Sequence, residues 1–508
     1  MVASEMFLTG AISVALPNIA GSFGASPDEI SWVVTLYLAG FTVILPLTAW
    51  LSNFWGQRTY LCASLVVYML ASAGCALSHS LAMLLTMRTL QGMAGAAFLV
   101  RSMFIYTTQF PPAVKKKANL FFIVGLCFKT TAAPVGGFFA DNLSWRWLFL
   151  LPVPLMGLGA LLPMAFSAEV WPRRRNTKLD LFGPALLAVG LGALFVILYR
   201  GQKDGWFDSH RIRFLAMCSL LLLPLFIWHQ CRPNQAHRLL TLESLRHPGV
   251  AVGLLYGFLI GNMIFGGLYL LPQSLRAISK HDSFGTGMLT GLDSLGTLVG
   301  LLVCGVGLDF CRTRAWLCSA GLLFTASMAL FALRQTSATP DEMLYLPLIL
   351  RGLSIGFLLP AAAQFIFRRI AAANHALTTE ARGMYYTTRY LGGAIAVAAI
   401  VAMLDVRQTL HSTQLTAHLT AGNLMFSRTL AMLGAGTVRH GLNPALSSTA
   451  GQMLLDRMVA REATVLAFQD VFWLLAAVGL VASGLALLFP RLRNSVKKNG
   501  SQSSEVKK

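Results

Sequence analysis

Apolar runs of about twenty residues recur along this chain at short intervals, and that spacing limits the fold more than any other feature. Such a run crosses the roughly 30 Å hydrocarbon core of a bilayer as one helix. Inside lipid every backbone polar group must be satisfied internally, which a helix does by itself. Fourteen runs are legible: 2–23, 31–51, 59–77, 81–106, 118–140, 145–166, 179–199, 214–228, 250–271, 284–308, 315–333, 343–367, 383–404 and 465–489. Only 12% of residues are charged and the mean hydropathy is +0.64, where a soluble chain carries about a quarter charged residues. The class predicted is all-α integral membrane. The first run is expected to act as an uncleaved signal-anchor, since no cleavable leader precedes it.

The net charge of +20 would suggest nucleic acid in a soluble protein. Here the basic residues lie between spans, as the positive-inside rule requires, and no stacking-plus-basic module is present. With the amino terminus inside, the inner segments hold 22 Lys and Arg, among them Arg58, Lys115–Lys117, Arg173–Arg175 and the tail. The short outer loops hold eight, including Arg146, Arg276 and Arg334. Both termini are therefore expected to be cytoplasmic. Residues 405–462 are expected to form the only long outer loop, with room for one or two short amphipathic helices. The Ser-rich basic tail 491–508 is expected to be disordered. The eight cysteines show no metal or redox spacing and read as small core residues. No metal or cofactor is implied.

The spans repeat. Asn53 and Asp309 are 256 residues apart, and so are Gly136-Gly137 and Gly392-Gly393. Residues 1–167 and 249–490 thus read as two six-helix bundles. Residues 168–248 are a two-helix insert with its linkers. Paired six-helix halves with a midplane site are a transporter architecture.

The run 84–95 places Arg88 among apolar residues, with Gln91, Gly92 and Gly95 on the same helical stripe. A charge at the bilayer centre costs roughly 2.5–3.5 kcal/mol on insertion scales, so Arg88 faces a polar passage or pairs with a neighbour. Small residues beside it admit a second helix closely. Arg351-Gly352 echoes this stripe in the second half.

These residues together resemble the major facilitator superfamily, in its fourteen-span drug:proton antiporter branch that includes the EmrB-like multidrug exporters. Residues 46–58, with Asn53, Gly56 and Arg58, are similar to the superfamily's loop sequence. Arg88, Gln91, Gly92 and Gly95 match the fourth-span sequence, whose Arg is implicated in proton coupling. Leu179 to Gly183, Gly205-Trp206-Phe207 and Arg389 to Gly393 resemble further parts of the branch. There are three departures. Asn53 replaces the loop acid, although Asp309 keeps one in the second copy. The antiporter sequence reads Ala132 to Gly137 with Pro134 displaced. The first-span acid of the branch falls at Leu8, with Glu5 one turn earlier.

Moving a proton needs a carboxylate that loads and unloads. Glu5, Asp293 and Asp470 are the candidates. Asp293 lies about 14 Å into its span at 1.5 Å per residue and is the first choice for a cavity acid, the alternative being a cap near Gly291. Glu5 sits near a helix end, where it could simply be wet. Lys129 falls near the midplane, able to lose its proton, pair with an acid or attract an anion. Arg101 suggests snorkelling, while Arg351 and Arg389 share the ambiguity of Arg88. Deep bases outnumber deep acids, which favours anionic or neutral amphipathic substrates. Tyr37, Phe41, Tyr256, Phe265 and Tyr269 are candidate cavity aromatics.

The reading is a proton-coupled exporter of small amphipathic compounds across the cell (inner) membrane. No nucleotide-binding loop is present, so an ion gradient must drive it. The resemblance implies a periplasmic membrane-fusion adaptor as partner where the host has two membranes, with 405–462 as its contact. An uptake symporter for an organic anion is the alternative. A membrane enzyme or flippase would need a convergent cluster, and His79, His210, His229, His247 and His281 are scattered.

Overall fold

The computed structural model describes residues 2–104, 132–158, 182–232, 248–307, 313–373, 377–417, 419, 424–439 and 447–488. Among them all regular structure is helical. The first half comprises α1 (Val2–Phe23), α2 (Pro27–Trp55), α3 (Gln57–Ala76), α4 (Leu81–Phe104), α5 (Ala132–Asn142) and α6 (Arg146–Leu158). The insert is α7 (Phe182–Arg200) and α8 (His210–Cys231). In the second half α9 (Pro248–Gly261) continues through a π-helical turn, Asn262–Gly266, into α10 (Gly267–Ser279). There follow α11 (Ser283–Gly307), α12 (Thr313–Arg334), α13 (Glu342–Ala373), α14 (Leu377–Ala417), α15 (Leu424–Arg439) and α16 (Ser447–Leu488).

Eleven of the described helices are long and apolar enough to cross a membrane, counting α9–α10 as one. Helix α4, with α5 and α6 as described parts of the fifth and sixth spans, is consistent with fourteen. Large apolar side chains such as Leu70, Leu220, Leu333 and Leu488 lie exposed on the outside of the helices, as a lipid-facing wall requires.

The 256-residue repeat is visible in the helix ends. Helices α2 and α11 start at 27 and 283. Their caps match as well. Ser26 Oγ accepts from the Glu29 N–H (3.2 Å), and Asp282 Oδ1 accepts from the Gly285 N–H (2.7 Å). A side-chain oxygen bonded to the third amide satisfies a donor the helix leaves open. Between α2 and α3 the chain turns on one residue, Gly56, at φ 86 and ψ 144. That left-handed φ favours glycine, and it narrows the expected Ser52–Arg58 loop to one hinge. Arg58, just past it, is exposed, and Asn53 lies on the closing turn of α2.

Among the described residues the halves meet along two seams. On one, α5 crosses α11 beside α1. On the other, α2 crosses α14, and α7 of the insert lies against both. Val43 and Leu47 of α2 share an apolar cluster with Leu186, Leu187 and Leu191 of α7 and Phe226 of α8. At the insert's turn Arg200 donates to Ser31 Oγ (3.1 Å), and Gln202 donates to Asp405 of α14 (2.9 Å). The Trp32 ring has the guanidinium carbons of Arg200 and Arg211 each 4.8 Å from its centroid.

The expectation of a long outer loop at 405–462 is corrected. Helix α14 runs unbroken to Ala417, α15 occupies 424–439, and α16 begins at Ser447. From 394 to 421 the sequence has neither Gly nor Pro, so nothing stops the helix when the apolar run ends. Likewise α10 extends to Ser279, which places Arg276 on a helix rather than in a loop.

Candidate functional site

In the first half, α1, α2, α3 and α4 bring Glu5, Tyr37, Ser72, Arg88 and Gln91 together. Tyr37 donates its hydroxyl proton to Glu5 Oε1, and both residues are buried. The Arg88 guanidinium carbon lies 4.2 Å from the Tyr37 ring centroid. Its Nε donates to the Val33 carbonyl (3.2 Å) and one terminal nitrogen to Gln91 Oε1 (2.7 Å). Gln91 Nε2 passes the chain on to Ser72 Oγ (3.0 Å), which donates to the Phe149 carbonyl (2.7 Å). Arg88 is 1% exposed. It is enclosed by partners within its own bundle, the pairing alternative, rather than standing on an open passage. A planar guanidinium over a ring face is favourable, more so when desolvated.

In the second half the arrangement is shorter. Arg351 of α13 donates to Asp293 Oδ2 of α11 at 2.7 Å and to the Ile264 carbonyl in the π turn at 3.2 Å. Asp293 is thus an ion-pair partner, not a helix cap. Its Oδ1 and the Arg351 Nε are buried with no hydrogen-bond partner. Tyr37 and Asp293 are 256 residues apart and occupy equivalent places on α2 and α11. The repeat is the signal that would have singled out Tyr37, which the sequence reading left among the aromatics.

Close helix approach supports both groups. A Cβ at Gly92 would strike the Tyr37 carbonyl, and one at Gly352 the Asp293 carbonyl. Gly95 faces the Tyr37 hydroxyl, Phe41 and Glu5. Gly136 lies against α1, where a Cβ would be 2.6 Å from the Ala11 carbonyl. Gly137 lies against the start of α11, 2.7 Å by the same measure from the Ser283 carbonyl. Pro134 meets α11 at Gly291, while Gly392 and Gly393 meet Phe258 and Phe265 of the ninth span.

Between the halves, the Tyr390 ring of α14 lies 4.8 Å from Phe41 and 5.0 Å from Phe265, centroid to centroid. Arg389 beside it is buried among Tyr385, Tyr386 and Tyr390, with no carboxylate within 4.0 Å among the described residues. Tyr256 is elsewhere, donating to the Ala482 carbonyl (2.7 Å). Asp470 pairs with His411 (2.9 Å) and Arg407 (3.5 Å) of α14. Lys129 and Asp309 lie outside the described residues.

The Gly24 end of the first seam is bonded shut. Arg276 of α10 donates to the Val14 carbonyl (2.7 Å). Asp141 accepts from the Phe284 N–H (3.0 Å) and from Asn18 Nδ2 (3.1 Å), and Ser283 Oγ donates to Asn18 Oδ1 (3.3 Å). The sequence reading missed this set because each residue looks like an ordinary helix-end polar group.

Residues 1–397 match the family described as the Major Facilitator Superfamily. The chain belongs to that superfamily. It is 23% identical over 480 residues to the multidrug export protein EmrB of Escherichia coli (strain K12), covering 93% of this chain and 90% of that protein. It is 24% identical over 493 residues to EmrB of Haemophilus influenzae, covering 94% and 91%. The crystal structure of an auto-inhibited POT family peptide transporter superposes with a TM-score of 0.56 at 14% identity, covering 97% of each chain. That likeness supports an all-helical transporter fold of the superfamily, with which fourteen spans are consistent.

Proposed function

We propose that the protein is a proton-coupled secondary transporter that exports small amphipathic compounds across the cytoplasmic (inner) membrane. The carrying observation is the acid–guanidinium group in each half, Glu5 with Arg88 by way of Tyr37 and Asp293 paired directly with Arg351. Each is electrically balanced while its acid is ionised. Protonating Glu5 or Asp293 leaves a buried guanidinium without its counter-charge. Removing one partner of such a pair costs about 3–5 kcal/mol. The protonated state therefore favours any rearrangement that lets water reach the arginine. Rocking of one half against the other supplies it. Arg88 and Gln91 hold the first group, and the glycines of α4, α5 and α14 let the helices stay in contact as they shift.

The excess of basic residues in the inner segments supports cytoplasmic termini, and the bonded Gly24 end then faces outward. Substrate then enters from the cytosol or inner leaflet, beside Phe41, Phe265 and Tyr390. Where the host has two membranes, residues 405–462 form the surface for a periplasmic adaptor. The exposed Met432, Met453 and Met458 suit such a contact.

Purified protein in proteoliposomes with an imposed pH gradient tests the reading. Substrate moving against the proton flow supports export. Movement with the protons would establish uptake instead, and no movement in either direction would refute coupling.

A further inference from the structure

The ninth span differs from its counterpart α1 in one respect that the transport reading does not use. Between α9 and α10 it widens into the π turn Asn262–Gly266. The equivalent stretch of α1, 256 residues earlier, is ordinary α-helix. A π turn holds one extra residue and releases a carbonyl from the usual ladder, and such turns concentrate at functional sites. The Ile264 carbonyl in this turn accepts from Arg351 (3.2 Å), whose other terminal nitrogen is held by Asp293 (2.7 Å). The guanidinium presses on the turn so closely that a Cβ at Gly267 would meet it.

Twelve residues beyond Ile264, the same helix carries Arg276, which crosses the seam to the Val14 carbonyl (2.7 Å). Asp141, one residue from the end of α5, lies within electrostatic reach of Arg276. Closing a π turn into α-helix removes one residue from the register. At 3.6 residues per turn that rotates everything downstream by about 100°. Helix α10 would carry Arg276 off the face it shares with α1.

We propose that Arg351, held by Asp293, is a positioning residue that keeps the π turn open and thereby holds Arg276 on Val14 of α1, closing the Gly24 end. Neutralising Asp293 frees the guanidinium from Ile264. The turn then closes, α10 rotates, and the bonds of Arg276, Asn18, Asp141 and Ser283 across the seam are lost. A central charge change is in this way transmitted about 18 Å along one helix, at 1.5 Å per residue. The inference rests on the rocking of the two halves proposed above. Its test is read without substrate, so a failed transport assay and a failed test are separate results.

Hydrogen–deuterium exchange on the full-length protein in lipid nanodiscs provides the test. In Asp293→Asn, peptides covering 267–279, 13–20 and the Phe284 amide should exchange at least about five-fold faster, the lower end of measured site-to-site coupling. Asp293→Glu should restore protection. Arg276→Gln should speed 13–20 and Phe284 while leaving 262–267 unchanged. The double variant should be no faster at 13–20 than Asp293→Asn alone. If Asp293→Asn does not fold, Arg351→Lys takes its place with the same expected pattern. Faster exchange confined to α11 and α13, or a double variant whose effect is the product of the singles, would overturn the proposal.

Discussion

The two halves cross their helices in the same register but carry their arginines at different distances from the crossing, and the charge groups differ for that reason. In the first half α4 touches α2 where Gly92 meets the Tyr37 carbonyl, four residues beyond Arg88. In the second half α13 touches α11 where Gly352 meets the Asp293 carbonyl, one residue beyond Arg351. The difference is three residues, about 4.5 Å along a helix. Arg88 therefore stands one turn away from the Tyr37 position, level with Val33, and reaches that carbonyl. Arg351 stands level with Asp293 and pairs with it directly. The first half supplies its acid from α1 instead, through the Tyr37 hydroxyl. A direct ion pair and a three-part relay are thus two outcomes of one fold, set by how far the arginine stands from the glycine that makes the contact.

The largest expected effect separates these arrangements. Arg351→Gln leaves a half-buried Asp293 charged with its Oδ1 fully enclosed, and stability should fall by up to about 3–5 kcal/mol. Arg88→Gln leaves Glu5 still bonded to Tyr37, so its loss should be nearer 1.5–3 kcal/mol, roughly that of a hydrogen bond to a charged group. Heating purified protein and measuring the monodisperse fraction compares the two. Equal losses would break the distinction. Adding Asp293→Asn to Arg351→Gln should recover folding but not transport.

Next comes the relay. Tyr37→Phe removes the donor to Glu5 and should cost about 1.5–3 kcal/mol. In a Glu5→Gln background the same change should cost clearly less, because the charged acceptor is gone. A double-mutant cycle on thermal stability reads the difference, and two independent effects would dissolve the relay into unrelated contacts. Smaller again are the crossings. Gly92→Ala and Gly352→Ala should each cost about 1–3 kcal/mol through overpacking, and both should slow transport in liposomes. An alanine tolerated at either site would show that the contact does not fix the register.

Much of this was legible in the sequence. The apolar runs give the spans because lipid permits almost nothing else, and the 256-residue repeat gives the halves. Arg88, Gln91 and Arg351 were legible as deep polar residues because a charge in an apolar run demands a partner. The identity of that partner was not. Whether Arg351 meets Asp293 depends on which residue of α11 faces Gly352 where the two helices cross, which no span pattern encodes. The π turn was hidden because a widened turn needs no special residue. The helix through 405–417 was hidden because the reading used apolarity, while the backbone only required the absence of a breaker.

The smallest expected effect tests the repeat itself. Ser26 and Asp282 cap α2 and α11 through the same third-residue amide, although their chemistry differs. Each cap should be worth about 1 kcal/mol when replaced by Ala. Ser26 has one further support, since Glu29 reaches back to the Ser26 amide (2.9 Å), a reciprocal bond that Gly285 cannot make. That bond survives Ser26→Ala, so the first half should lose slightly less than the second. Because both helices begin at the Gly24 end, neither change alters the buried charge groups, and transport per folded molecule should stay at the wild-type rate. A transport defect in Asp282→Ala alone would mean that the start of α11, where Ser283 and Phe284 bond to the first half, takes part in closing that end as well as in folding.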